Sequence, residues 1–209
     1  MPTLHVCPLS RLHATVAETR ASHVVSLMGA GAEVPRLTGV AAERHLFIGV
    51  SDIVEPLDGH VLAEAEHMEQ LLAFVGAWER ESPLVLHCWA GISRSTAAAY
   101  IAACTLMPER DEAAIALALR EASPSATPNA RFVTLADDLL GRQGRMVDAV
   151  RRIGRGAEAM EGTPFRLALE RKHRIDRKGA DPLLDPIFQP EDAAKLHPGP
   201  SLPGRPTSA

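Results

Sequence analysis

The first half of the chain alternates short apolar runs with segments that have helical periodicity. The apolar runs are too short for helices and are bounded by turn residues, so they predict four buried strands: TLHVCP (3–8), HVVSLMG (23–29), HLFIGVSD (45–52) and PLVLH (83–87). A helix capped by Ser10 is predicted over 10–21. A second helix is predicted over 61–78, where apolar positions recur at helical spacing: Val61, Ala65, Met68, Leu72 and Val75.

The second half lacks strand patterns and predicts helices over 94–106, 109–122, 129–141 and 143–153. The segments SPSATPN and GRQG separate the later ones. Strands alternating with helices, followed by helices alone, predict an α/β fold with a small, mainly parallel central sheet of about four strands flanked by helices. We expect one domain over 1–167 and a basic, then proline-rich tail over 168–209 that is partly disordered.

Composition and charge exclude several classes of function. The net charge of -4 and the lack of a long basic block disfavour nucleic acid as a partner. No apolar run approaches the ~20 residues that span a bilayer, and the first residues do not resemble a secretion signal, so no membrane partner is expected. The 3 cysteines fit neither a disulfide framework nor a zinc site, which favours a cytoplasmic, reducing setting and predicts no metal and no cofactor.

The stretch HCWAGISRS (87–95) joins the fourth predicted strand to the next helix and has the composition of an anion site. Ligands of open parallel sheets bind beyond the carboxyl ends of strands, and Cys88 stands at such an end. Loop amides and the start of the helix can form a positive concavity, in which Gly91 permits a positive φ or a close approach to an anion. Arg94 offers a planar fork for two phosphoryl oxygens. The predicted substrate-binding residues are Trp89, Ala90, Gly91, Ile92, Ser93 and Arg94.

The same surroundings make Cys88 a candidate nucleophile, because a positive environment favours the reactive thiolate form of a cysteine. Ser95 can donate its hydroxyl to that thiolate and later help it leave. His87 is expected to organise the loop through hydrogen bonds rather than to transfer protons. Cys104 is expected to be buried and inert, and Cys7 a core residue, with a redox partnership to Cys88 as its less favoured alternative.

The segment HCWAGISRS resembles the signature His-Cys-x-x-Gly-x-x-Arg-Ser/Thr of the cysteine-dependent protein tyrosine phosphatases, and every fixed position is matched. SPSATPNARFVTLADDLL resembles the Pro-Asn-x-x-Phe segment of dual-specificity phosphatases, and residues 3–167 are similar overall to a bacterial group of small predicted tyrosine phosphatases. The resemblance implies a tyrosine-phosphatase-like fold and a metal-independent, two-step hydrolysis. In it Cys88 forms a cysteinyl-phosphate, Arg94 binds the phosphoryl oxygens, and a carboxylic acid protonates the leaving oxygen.

Two aspartates compete for the role of that acid, which the resemblance places on the loop after the third strand. Asp52 ends this strand in FIGVSDIVEP, 36 positions before Cys88, and resembles the Asp-Ile of the bacterial group. Asp58, in EPLDGH, lies 30 positions before Cys88 and can equally be a turn or cap residue. Placement favours Asp52 and leaves Asp58 as the alternative.

Three other classes share features with this loop. A rhodanese-like sulfurtransferase also cradles an anion around a cysteine, but its loops usually lack a glycine at this place with Arg-Ser after it. A catalytically weak phosphopeptide-binding module usually lacks the cysteine, the arginine or the acid, whereas Cys88 and Arg94 are present. Phosphoinositide phosphatases commonly carry lysines within the loop, and none occurs here.

The predicted substrate is a phosphorylated protein, most favourably one with phosphotyrosine, or a small phosphomonoester. Tyrosine-specific relatives deepen the pocket with a tyrosine near the N-terminus, but the single tyrosine here, Tyr100, lies in the helix after the signature. A shallower, dual-specificity-like pocket therefore stays open as an alternative, and the sequence predicts no oligomeric state.

Overall fold

The computed structural model describes residues 3–169 of the chain. The strands of this part are β1 (Thr3–Pro8), β2 (His23–Met28), β3 (His45–Gly49), β4 (Leu84–Cys88) and β5 (Phe165–Ala168). Its α-helices are α1 (Leu12–Thr19), α2 (Ala65–Ala77), α3 (Arg94–Leu106), α4 (Glu112–Ala122), α5 (Ala130–Leu139) and α6 (Arg145–Ile153). None of the helices in residues 3–169 is both long enough and apolar enough to cross a membrane.

The five strands form one mainly parallel sheet in the order β3-β2-β4-β1-β5. The central strand β4 is parallel to β1 on one side and to β2 on the other, and β3 extends the parallel set beyond β2. Parallel strands end at the same edge of a sheet, so the segments that follow β1 to β4 converge there. This architecture confirms the predicted α/β class with a small, mainly parallel sheet flanked by helices.

The fifth strand was not predicted. It runs antiparallel to β1, with Leu167 opposite Leu4, and covers an edge of β1 that would otherwise be exposed. The prediction of helices alone after β4 is wrong here because the four residues FRLA are too few to show an alternating pattern. Pairing with β1, rather than local preference, makes this segment a strand.

Helices cover the two faces of the sheet unequally. One face is covered by α1 and by the segment around Leu37, which pack over Cys7, Val24 and Val85. The other face carries the larger core, in which α3 packs on β4 and β1 and is itself surrounded by α2, α4 and α5. Nearly the whole of α3 is buried, which explains its alanine content, because small side chains let neighbours approach from every side.

The ends of the helices differ from the sequence predictions by a few residues. α3 has the predicted bounds. α2 begins at Ala65 rather than at 61, because Glu64 and His67 form a reciprocal cap at its start. A 3-10 turn at Leu9–Arg11 precedes α1, so Ser10 does not cap that helix. The predicted tail falls, from residue 170 onward, outside the described residues.

Candidate active site

The loop of residues 88–94 begins at the carboxyl end of the central strand and ends at the first residue of α3. Gly91, near its middle, has a φ of 71°. A β-carbon at this position would lie 2.7 Å from the backbone nitrogen of Pro8 and 2.9 Å from the carbonyl carbon of Cys7. Glycine is required by the positive φ, one of the two roles predicted from the sequence, and also by the close approach of β1, which the sequence did not predict.

Neighbouring segments hold this loop from outside through its carbonyl groups. The donors are the backbone N–H groups of Leu9 to Trp89 (3.1 Å), of Gly162 to Ala90 (2.8 Å) and of Thr127 to Ile92 (2.9 Å). In a trans peptide the N–H points opposite to the carbonyl, so the N–H groups of Ala90, Gly91 and Ser93 are turned toward the inside of the loop. Within residues 3–169, those of Ala90 and Ser93 have no hydrogen-bond partner. A concavity of free N–H groups is an anion-binding arrangement.

Cys88 is buried inside this loop, with 1% of its surface exposed. Its Sγ accepts the N–H of Gly91 at 3.2 Å. The Sγ also lies 3.1 Å from Oγ of Ser95 in the first turn of α3, so the hydroxyl can donate to it. Both donors point at the sulfur, and Cys88 also lies beside the positive N-terminal end of α3. The geometry therefore suits a nucleophilic Cys88 assisted by Ser95.

Arg94 is the first residue of α3, and only 8% of it is exposed. Its Nη1 donates to the carbonyl oxygen of Val50 at 2.9 Å, which anchors the guanidinium after β3. Its Nε has no hydrogen-bond partner among the described residues. Oδ2 of Asp52 is 3.9 Å from this nitrogen, beyond hydrogen-bond distance. A buried cationic donor without a partner is costly, so this nitrogen is positioned to bind an anion that enters the loop.

Asp52 lies just after β3, and its carboxylate reaches the end of the loop. Oδ1 accepts two hydrogen bonds, from Oγ of Ser93 at 2.7 Å and from Nδ2 of Asn129 at 2.8 Å. Oδ2 is the oxygen that faces Arg94. The side chain of Asp52 is 37% exposed, which leaves room for a leaving group to reach it. The structure thus brings Asp52 together with Ser93 and Arg94.

Asp58, the alternative acid, lies in an exposed turn before α2. Its backbone carbonyl is 3.1 Å from Nδ1 of His60, and its carboxylate makes no hydrogen bond or ion pair within the described part of the chain. The placement of the two carboxylates favours Asp52 as the candidate acid.

His87 precedes the nucleophile and is fully buried. Its Nε2 lies 2.6 Å from Oγ of Ser26, and the same hydroxyl lies 2.7 Å from Nε2 of His45. Burial lowers the pKa of His87 to about 4, so the imidazole is neutral near pH 7. His87 therefore connects β4 to β2 and β3 through hydrogen bonds, as a structural group rather than a proton carrier.

Trp89 and the two other cysteines, Cys7 and Cys104, lie in different surroundings from Cys88. Trp89 is 67% exposed and stands at the rim of the loop, not in the core. Burial raises the pKa of Cys7 to about 11 and that of Cys104 to about 12, so both remain thiols near pH 7. Cys7 packs on the α1 face of the sheet and Cys88 on the opposite face, which does not suit a disulfide between them.

Sequence reasoning missed two residues that shape this site. Asn129 lies in the Pro-Asn-x-x-Phe segment, and this motif is the available signal, but it does not predict the contact with Asp52. Val50 holds Arg94 through its backbone carbonyl, so its side chain gives no signal at all.

No protein-family model matches the chain, and no curated protein matches it in sequence. Several solved structures are similar to this chain in fold. DUSP15 is 18% identical with a TM-score of 0.54, over 73% of this chain and 91% of that chain. Human DUSP28 is 20% identical with a TM-score of 0.53, over 68% of this chain and 94% of that chain. A human tyrosine phosphatase-like serine/threonine/tyrosine-interacting protein is 18% identical with a TM-score of 0.54, also over 68% of this chain and 94% of that chain.

The chain has the fold of the cysteine-dependent protein tyrosine phosphatases, and dual-specificity members are among the structures that it resembles. The likeness to the bacterial group remains a prediction. A shared fold does not establish activity, which has to be argued from the site. Within residues 3–169, no group of three or more His, Cys, Asp or Glu side chains is placed to hold a metal ion.

Proposed function

We propose that this protein hydrolyses phosphomonoesters through a cysteinyl-phosphate on Cys88, with protein phosphotyrosine as the favoured substrate class. The observation that carries the proposal is the buried Nε of Arg94, which has no hydrogen-bond partner among the described residues. This nitrogen stands at the end of a loop whose N–H groups face inward around the thiol of Cys88. A dianionic phosphoryl group supplies the acceptor oxygens that these donors lack.

In the first step, the Cys88 thiolate attacks phosphorus in line with the leaving oxygen. The S–P bond forms as the bond from phosphorus to the leaving oxygen breaks. Loop N–H groups and the Arg94 fork bind the non-bridging oxygens, whose charge they stabilise without further reorganisation. Asp52 gives its proton to the leaving oxygen, so a neutral phenol or alcohol departs and Asp52 becomes a carboxylate.

In the second step, water attacks the phosphorus of the cysteinyl-phosphate. The Asp52 carboxylate removes a proton from this water and is protonated again. The S–P bond breaks with its electron pair returning to sulfur, and the Ser95 hydroxyl, 3.1 Å from Sγ, stabilises the departing thiolate. Inorganic phosphate leaves, and no metal or cofactor is required for either step.

Features at the rim of the loop support an aryl phosphate more than a polyanionic head group. The positions between Cys88 and Arg94 carry no charged side chain, and the exposed indole of Trp89 offers an apolar surface beside the phosphoryl site. The free thiol of Cys88 also needs a reducing setting, in keeping with the expected cytoplasmic location.

The test is phosphate release from an aryl phosphate by the wild-type protein and by Cys88→Ser, each with and without a chelator. We expect chelator-insensitive turnover in the wild type and a loss of at least about three orders of magnitude in Cys88→Ser, because a serine hydroxyl is a far weaker nucleophile. Cys88→Ser should still bind vanadate. Full activity in this variant, or loss of wild-type activity with chelator, would contradict the proposal, and sulfur transfer from thiosulfate without phosphate release would indicate a sulfurtransferase.

A further inference from the structure

The segment of residues 155–164, which we call the strap, joins α6 to β5 and has no regular secondary structure. Its backbone is fixed against the loop that holds the nucleophile and against the turn that precedes α5. The N–H of Gly162 donates to the carbonyl oxygen of Ala90 at 2.8 Å, and the N–H of Ala157 donates to that of Pro124 at 2.9 Å. The strap is therefore an anchored neighbour of the active-site loop.

Two positions in the strap have no room for a side chain. A β-carbon at Gly162 would lie 2.9 Å from the carbonyl oxygen of Gly91, and one at Gly156 would lie 2.5 Å from the backbone of Ser125. Glycine is required at both positions because the strap approaches its neighbours through the backbone alone. Its side chains are left to face outward.

The side chains in the middle of the strap are not used for packing. Residues 157–161 are all exposed, and Met160 is 97% exposed. On the adjoining loop, Trp89 is 67% exposed. Because the backbone beneath them is already fixed, these apolar side chains can be buried against a ligand without the cost of ordering a mobile loop.

A cavity of about 410 Å³ lies between the strap and the turn at Ser123–Ser125. Alanine and proline make up half of its lining, and the side chains of Glu158 and Glu161 also line it. Within residues 3–169, neither carboxylate makes an ion pair or a hydrogen bond. The nearby guanidinium of Arg120 donates to backbone carbonyl groups instead, and the strap's own cation, Arg155, lies outside the lining.

This lining suits a lysine or arginine side chain. The methylene stem of such a side chain packs on apolar surface, while its charged head stays next to carboxylates. The segment after Asp52, which contacts the other end of the active-site loop, adds the exposed carboxylates Glu55 and Asp58 to the rim. A negative rim attracts cationic groups of a substrate and repels acidic ones.

We propose that the strap and Trp89 form a docking surface for the polypeptide that carries the phosphorylated residue, and that this surface selects lysine or arginine beside that residue. The inference rests on the proposed function and names the substrate class more closely. The strap contacts the active-site loop directly, so a peptide whose phosphoryl group is bound in the loop can reach it within a few residues.

Exposed apolar side chains such as Met160 also suit a lipid surface, but the charges of the rim do not. Cytoplasmic lipid surfaces are anionic and attract lysine and arginine. The rim carries carboxylates from the strap and from the segment after Asp52 instead. The observations therefore favour a basic peptide over a membrane.

The test compares phosphotyrosine peptides that differ only in a lysine or a glutamate, placed in turn at each position close to the phosphotyrosine. We expect the wild-type protein to prefer lysine about tenfold in kcat/KM at the best position, mainly through KM. Added salt should weaken the preference, because it screens exposed charges. Nitrophenyl phosphate, which has no flanking residues, reports the basal activity.

Glu158→Gln combined with Glu161→Gln should abolish the preference and leave turnover of nitrophenyl phosphate unchanged. Glu18→Gln combined with Glu81→Gln is the matched control, since both side chains are exposed and lie toward the amino ends of the strands, away from the nucleophile. The control changes the net charge equally and should keep the preference. Met160→Ser should raise KM several-fold for the peptides and leave turnover of nitrophenyl phosphate unchanged.

Equal kcat/KM for the lysine and glutamate peptides at every position, or a preference that survives without Glu158 and Glu161 or disappears in the control, overturns this inference and leaves the proposed function intact. Binding to phosphatidylserine vesicles that Met160→Ser weakens, without discrimination between peptides, would make the surface a membrane contact. Wild-type protein that releases no phosphate overturns the proposed function. Calorimetry of the same peptides on Cys88→Ser then decides the docking surface separately, by the presence or absence of the lysine preference in Kd.

Discussion

Two polar clusters lie at the two ends of α3. They are similar in composition but differ in whether every buried hydrogen-bonding group has a partner among the described residues. At the start of the helix, Arg94 and Asp52 approach each other beside Cys88. At its far end, Arg142 and Glu112 pair beside the backbone of Cys104. Both arginines are largely buried, and each reaches a backbone carbonyl and faces a carboxylate.

In the far cluster, every buried side-chain nitrogen and oxygen has a hydrogen-bond partner among the described residues. Arg142 donates to Oε1 of Glu112 (3.1 Å) and to the carbonyl oxygens of Pro108 (3.1 Å) and Cys104 (3.0 Å). Arg145 adds a second hydrogen bond to Glu112 at 3.1 Å. Nearby, Asp137 is buried and accepts the N–H groups of Gly144 and Met146, which fixes the start of α6.

In the cluster at the start of α3, around Arg94, some hydrogen-bond donors have no acceptor among the described residues. Among the described residues the Nε of Arg94 has no partner, and the N–H groups of Ala90 and Ser93 point into the loop without an acceptor. A satisfied buried network holds elements together, whereas an incomplete one is stabilised when a ligand completes it. We therefore expect the far end of α3 to contribute mainly to fold stability, and the start of α3 is where we propose that phosphate binds.

The largest expected effect on stability comes from Glu112→Ala. It leaves Arg142 buried without its carboxylate, which should lower the free energy of unfolding by about 3–5 kcal/mol. Urea denaturation measures the loss. Arg145→Ala is the control, because the Arg145 side chain is 51% exposed and its pair should contribute about 1 kcal/mol or less. Unchanged stability in Glu112→Ala, or a lower kcat/KM of the folded Glu112→Ala variant, would contradict the separate roles that we expect for the two ends of α3.

An arginine-to-lysine substitution at each end of α3 tests directly whether the two ends have separate roles. Arg94→Lys keeps the charge and loses the planar fork, so transition-state stabilisation should fall by at least ~2 kcal/mol with little change in melting temperature. Arg142→Lys should lower the melting temperature and leave kcat/KM unchanged, since a single ammonium cannot reach all three acceptors. Near-wild-type rates in Arg94→Lys would mean that this arginine does not meet the phosphoryl group.

The smallest expected effect is a contrast between substrates in Asp52→Asn. This variant should lose about tenfold more activity on a basic leaving group such as phosphotyrosine than on a nitrophenyl ester, because the latter needs less protonation. The basic limb of its pH–rate profile should flatten, since that limb reports loss of the acid's proton. Asp58→Asn, run on the same two substrates, should resemble the wild type. The reverse pattern would make Asp58 the acid.

Short-range patterns were enough to predict much of the fold and the centre of the site. The four parallel strands and α3 are long or apolar enough to be recognised locally, and Cys88, Arg94 and Ser95 lie within one continuous segment. Their closeness follows from the turn between a strand and a helix. Only the identity of the acid needed a choice between separated residues.

What could not be predicted depends on contacts between distant parts of the chain. β5 exists through its pairing with β1. Asn129 and Asp52 are 77 positions apart, and Ser26 and His87 are 61 apart, so only the folded sheet brings each pair together. Val50 acts through a carbonyl group that every residue possesses. No local pattern encodes contacts of this kind.

The proposed mechanism requires that the phosphoryl group is transferred to the sulfur of Cys88 before water releases it as inorganic phosphate. The most direct measurement mixes Asp52→Asn with a nitrophenyl phosphate, denatures the protein within the first turnovers and locates phosphate by mass spectrometry of its peptides. The acidic leaving group keeps the first step fast, and loss of the base slows the second, so the intermediate should accumulate. We predict phosphate on the peptide that contains Cys88 and none in Cys88→Ser. Nitrophenol release with no phosphate on that peptide, or with phosphate on another residue, would contradict the mechanism.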